Sequence, residues 1–163
     1  MPSFLRTIRL DTSDSQIFEA AAGPGEWAVP GGFEFCELEP DEIRGKTRQA
    51  FANGFLSLES FGRSTLVMVA EIAENELEAL VQALAMHFVS VYGAPDLAAA
   101  LPVARGEIDF AAELAQGQPP NTLLSVSRAH DDAGGIREEF RVMPSPASAQ
   151  HALVWDVVED GNA

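Results

Sequence analysis

The chain has 163 residues, 47% of them hydrophobic and 21% charged, with 25 acidic against 10 basic side chains and a formal net charge of −15. These values describe a folded globular chain rather than a disordered one, and the acidity speaks against nucleic acid and anionic membrane surfaces, whose phosphates need clustered Lys and Arg. A single cysteine, Cys36, excludes an internal disulfide framework and a cysteine-rich zinc or iron–sulfur site within one chain.

One domain is expected over residues 1–158, followed by an acidic tail, 159–163, that should fray. No apolar run reaches the roughly 20 residues that cross a bilayer. The start at Met1 lacks the basic residues and long apolar stretch of a signal peptide, so a cytoplasmic protein is expected.

The first element reads as a strand from Ser3 to Leu10, stopped by the turn-forming run Asp11-Thr12-Ser13-Asp14. Two Gly/Pro clusters then bracket Trp27 in the run from Gly23 to Phe33. Proline restricts the backbone and glycine permits positive φ, so a defined loop, or two turns around a short strand, is expected. A rigid loop presenting Trp27 and Phe33 is a candidate binding surface, because aromatic rings give large contact area at little entropic cost. The plainer alternative is that both rings anchor the loop to the core.

Phe33 to Leu38 reads as a further strand, and Glu39-Pro40-Asp41-Glu42 as a helix start that runs to Asn53-Gly54, with Gly45 as its weak point and a loop plus another strand over 40–53 as the alternative. In this helix Arg44 and Arg48 stand one turn apart in the only basic concentration of the chain, a geometry that can grip a carboxylate or phosphate. A solvated face balancing Asp41 and Glu42 is the plainer reading. Gly45-Lys46-Thr47 resembles the end of a phosphate-binding loop, but the first glycine of that motif would fall on Pro40, so nucleotide binding is not expected there.

Phe55 to Ser60 and Thr65 to Ile72 read as a hairpin across Phe61-Gly62-Arg63-Ser64. A long helix follows from Glu74, with Leu77, Leu80, Val81, Leu84, Phe88 and Val91 on one stripe. Its far face carries Ala79, Ala83, Met86 and Val89, so a second cover is expected, from the Ala-rich segment or from a second subunit. His87, at the stripe's edge, reads as a structural histidine. A short helix that Pro102 ends or kinks is expected next, and then a second piece from about Arg105 to Gln116 with Ile108, Ala111, Ala112 and Ala115 together.

A second hairpin joins Thr122–Ala129 to Ile136–Met143, with Ile136, Phe140 and Val142 alternating against Arg137, Glu139 and Arg141. His130-Asp131-Asp132 between them reads as a turn, not a metal site. The run from Leu153 to Val158 reads as an edge strand or a segment lying on another subunit.

Two segments, Gly25–Phe33 and Ser60–Thr65, give the chain its resemblance to small uncharacterised proteobacterial proteins of a domain-of-unknown-function type; that resemblance implies no activity. From element order the fold is expected to be α+β, with a mainly antiparallel sheet built from hairpins and helices packed on it. No nucleophile, metal or dinucleotide motif has the spacing its chemistry needs, so no catalytic residue, metal or cofactor is assigned. The expected function is a cytoplasmic non-catalytic binding or accessory protein, homodimeric, with a possible protein partner. The alternatives are a small acid/base enzyme assembling His87, His130 or His151 with carboxylates, or an anion-binding module at Arg44 and Arg48.

Overall fold

The computed structural model describes residues 2–9, 17–18, 20–35, 38, 40–133 and 135–143. The expected turn at 11–14, Cys36, His151, the run at 153–158 and the acidic tail lie outside the described residues.

The fold is α+β, with a seven-stranded sheet whose neighbours are all antiparallel, in the order β4-β3-β2-β1-β5-β6-β7. The strands are β1 (Ser3–Ile8), β2 (Trp27–Val29), β3 (Phe55–Ser57), β4 (Arg63–Ser64), β5 (Leu66–Glu71), β6 (Leu123–His130) and β7 (Ile136–Met143). The helices are α1 (Lys46–Asn53), α2 (Glu74–Val91) and α3 (Leu97–Ala115). No helix among the described residues is long and apolar enough to cross a membrane.

The sheet must curl. β4 and β5 are separated in the chain only by Thr65, yet three strands lie between them in the sheet. Flat strands would hold them about 19 Å apart, whereas two residue steps reach at most about 7 Å. Curling brings both ends of that continuous segment to opposite sides of β1, and it buries Phe4 and Leu5, which point to opposite faces of β1. The expected hairpin over residues 55–72 is corrected accordingly. β3 pairs β4 at only two positions, Phe55 with Ser64 and Leu56 with Arg63, while β5 pairs β1 and β6.

Three further expectations change. The segment after Phe33 is not a strand: Gly31, at φ +75, turns the chain into a 3-10 turn over Gly32–Phe35. The helix expected over 40–53 is broken, because Gly45 at φ +60 separates a 3-10 turn at Pro40–Glu42 from α1. That break lets Ile43 join Phe35 and Phe51 in a small second core. Conversely, Pro102 does not split α3. Its ring is exposed, so the carbonyl it leaves unpaired one turn earlier can face water.

α2 buries Leu80, Val81, Leu84, Ala85 and Phe88, at about 1.5–3 kcal/mol for each large side chain. Ala104, Ile108, Ala111 and Ala115 of α3 are buried, and these small residues allow α3 to lie close against β1 and against α2. Within the single chain most of the far face of α2 stays open, with Ala79, Gln82 and Ala83 exposed and Met86 57% exposed, while Val89, expected on that face, packs against the core. The β6–β7 hairpin forms as expected, in register from Leu123 opposite Met143 to His130 opposite Ile136.

Candidate functional site

The site grows from a charged residue at an inward position of a strand. On β6, Leu124, Val126 and Arg128 share one face, and all three are buried. Arg128 stands directly opposite Glu138 on β7, and its Nε donates to the Glu138 carboxylate at 2.7 Å. The rest of its guanidinium satisfies backbone carbonyls. Nη1 donates to Phe51 at 2.9 Å and Gly54 at 3.0 Å, and Nη2 to Pro30. Phe51 lies in the last turn of α1, where carbonyls lack intrahelical partners and a cation is favourable.

Arg63 on β4 complements it. Its Nη1 donates to Gly54 at 2.9 Å, its Nη2 to Gly31 at 3.2 Å, and the same nitrogen pairs with the Glu34 carboxylate. Glu34 also accepts from the Tyr92 hydroxyl. Both guanidiniums lie over the Phe35 ring, at 4.8 Å for Arg63 and 5.8 Å for Arg128. Burial lowers the pKa of each, and Glu34 for Arg63 and Glu138 for Arg128 oppose that by favouring the charged form.

Together the two arginines clamp the segment Pro30–Phe35 onto the sheet. Glycine is required at position 31, where φ is +75 and a Cβ would come within 2.5 Å of the Leu56 Cβ, whereas a Cβ at Gly32 would press only on the end of the Glu138 side chain, at 2.6 Å. The clamped segment presents Phe33 to a cleft of about 450 Å³. Pro30 and Phe33 form one wall, Glu107 and Phe110 of α3 a second, Ile136 and Glu138 of β7 a third. That volume suits a small molecule, and apolar walls with few polar groups are usual for such sites.

Glu107 sets the chemistry of this cleft. Burial first, and the Glu138 carboxylate second, push its pKa above 4.5, with Arg128 opposing. Glu138 is neutralised by Arg128, whereas among the described residues the Glu107 carboxylate has neither hydrogen bond nor ion pair. A half-buried acid in this condition favours a ligand that brings a positive charge or a donor.

The expected site residues fall in different places. Phe33 lines the cleft, with its ring edge-on to Phe88 at 5.0 Å and to Tyr92 at 5.9 Å. Trp27 is elsewhere: it is buried in β2, edge-on to Phe4, with the Arg6 guanidinium 4.3 Å above its ring. Arg44 and Arg48 are both exposed, but Arg44 precedes the Gly45 break and only Arg48 stands on α1. Arg48 lines a separate cleft with His130.

The two described histidines, His87 and His130, are held by aromatic stacking. His87 lies 3.8 Å from Phe61 with rings 7° from parallel, and its buried Nε2 has no hydrogen-bond partner among the described residues. Burial lowers its pKa, against the pull of Glu34. His130 stacks on Phe51 at 4.8 Å.

Residues 1–158 match the model of a family of unknown function, DUF6505. No curated protein matches the chain, and no solved structure does.

Proposed function

We propose, from the premise that the chain belongs to DUF6505, a family of unknown function, that it is a non-catalytic binding or accessory protein. Its ligand is a small amphipathic cation, an amine carried on an apolar body, seated in the cleft beside Phe33. The observation that carries this reading is Glu107: a half-buried carboxyl with no hydrogen bond or ion pair among the described residues, its pKa raised by burial and by Glu138, among the apolar walls Pro30, Phe33, Phe110 and Ile136. A bound ammonium would give Glu107 the direct ion pair that the distant Arg128 charge does not supply, and the rings would cover its apolar body.

The stacked positions of His87 and His130 favour binding over acid/base chemistry, since neither imidazole is hydrogen-bonded to a carboxylate among the described residues. A cytoplasmic homodimer completes the proposal. The support for a homodimer is three apolar side chains, Met86 and Val91 of α2 and Val103 of α3, each more than half exposed. Sedimentation of a monomer at micromolar concentrations would remove the homodimer part.

Thermal-shift assays with aryl- and alkylamines, beside the matching alcohols, test the ligand class. Amines should stabilise the wild type and not Glu107→Gln. Equal shifts in the two proteins, or none with any amine, would overturn the assignment.

A further inference from the structure

The acidity of the chain makes one surface stand out. A cleft of about 360 Å³ is lined by Arg48 of α1 and by His130 and Arg128 of β6, with Ile43, Phe51 and Ala129 among its apolar walls, and among the described residues no carboxylate lines it. In a chain with 25 acidic and 10 basic side chains, such a lining is unusual.

Its groups differ in availability. The Arg128 side chain is wholly buried and its nitrogens are committed to Glu138, Phe51, Gly54 and Pro30, so it closes the floor without offering a free donor. Arg48 is exposed, and no ion pair joins it to a carboxylate among the described residues. Asp131, next to His130 in the chain, has its carboxylate turned into the hairpin end, accepting from Ala133 at 3.0 Å and Gly135 at 2.7 Å. The His130 ring is held flat against Phe51, 14° from parallel, which fixes the plane in which its nitrogens lie.

We infer that the Arg48–His130 cleft is a second ligand site, independent of the Phe33 cleft, for a small organic oxyanion. Arg48 supplies a planar fork of donors matched to a carboxylate or phosphate. His130 supplies a further donor from the side of β6, and Ile43, Phe51 and Ala129 cover a compact apolar body. The partner of Arg48 in holding an anion is therefore His130 across the cleft, rather than Arg44, its neighbour in sequence.

Isothermal titration with benzoate and with phenyl phosphate tests the site and separates the two oxyanion classes. The wild type should bind at least one of them at millimolar concentration or below, and Arg48→Gln and His130→Phe should each weaken it about tenfold. Arg48 is exposed and His130→Phe keeps a ring on Phe51, so both variants retain the fold, which thermal unfolding without ligand verifies. Arg44→Gln should bind as the wild type does. No binding of either probe by the wild type, binding retained in Arg48→Gln, or an equal loss in Arg44→Gln would overturn the site. Glu107→Gln should leave this binding intact, so the outcome is separate from that for the amine cleft.

Discussion

Arg63 and Arg128 donate to a single acceptor, the carbonyl of Gly54, at 2.9 and 3.0 Å. They are 5% and 4% exposed, so two like charges meet inside the protein around one backbone oxygen. Each is balanced by its own carboxylate, Glu34 for Arg63 and Glu138 for Arg128, placed toward the rim. Removing such charges from water is costly, and the arrangement is tolerated because nearly every donor finds an oxygen. Its structural effect is to tie β4, β6, the end of α1 and the Pro30–Phe35 segment into one unit, which is what holds Phe33 at the cleft.

Arg128→Met should therefore cost about 3–5 kcal/mol in denaturant unfolding, since it strands the carbonyls of Pro30 and Phe51, leaves Gly54 to Arg63 alone and leaves Glu138 unpaired. Arg128→Lys should recover little, because an ammonium is a compact donor that cannot serve four acceptors in one plane. A loss below about 1 kcal/mol in the methionine variant would show that the clamp is not what fixes the segment.

Gly31 and Gly45 separate backbone strain from packing. Both have positive φ, +75 and +60, but a Cβ on Gly31 would strike Leu56 while one on Gly45 would meet nothing within 4 Å. Gly45→Ala should cost about 1–2 kcal/mol for conformation alone, and Gly31→Ala about 2–5 kcal/mol with the clash added. Equal costs in equilibrium unfolding would contradict the close approach of Gly31 to Leu56.

His87 gives a pH dependence of definite sign. Burial, opposed by Glu34, lowers its folded pKa below 6.5, so the unfolded chain binds the proton more readily. The stability from a neutral His87 is complete above 6.5 and is lost as pH falls through the folded pKa. His87→Phe, which keeps a ring on Phe61, should remove this loss. The stability difference between variant and wild type should move in the variant's favour below pH 6.5, and a difference independent of pH would contradict the buried, unpaired Nε2.

How much of this is readable from sequence depends on the range of the interactions. The stripe Leu80, Leu84 and Phe88 and the alternation Ile136, Phe140 are local periodicities, and α2 and the β6–β7 hairpin follow from them. Strand pairing is not local. Leu66–Glu71 follows β4 after Thr65 alone, yet pairs with β1, because curling of the sheet decides its neighbours. Of the expected site residues, Phe33 reaches the cleft and Trp27 does not, since the turn at Gly31 sends the two rings to different places. Arg63 and Arg128 escape notice because an arginine reads as solvated by default. The available signal is parity: Arg128 continues the inward positions of Leu124 and Val126, and Glu138 those of Ile136 and Phe140.

Glu107 also makes the fold itself pH-dependent, in the opposite sense to His87. Its folded pKa is raised by burial and by Glu138, so its protonated form is favoured in the folded state, and that contribution is lost as pH rises from 4.5 through the folded pKa. Glu107→Gln, which mimics the neutral carboxyl, should melt at a temperature equal to or above the wild type at pH 7. A lower melting temperature there would mean that the ionised Glu107 has a partner that stabilises it.

Titration of benzylamine into the wild type and Glu107→Gln by calorimetry, across pH 4.5 to 7.5, tests the proposed function most directly. A cation that pairs with Glu107 must displace its proton, so wild-type affinity should rise with pH through the folded pKa and level off, with proton release visible as a buffer-dependent heat. The glutamine variant should bind about tenfold more weakly at pH 7 and show no such rise. Binding of equal strength in both proteins, with the same pH profile, would contradict a cation site at Glu107.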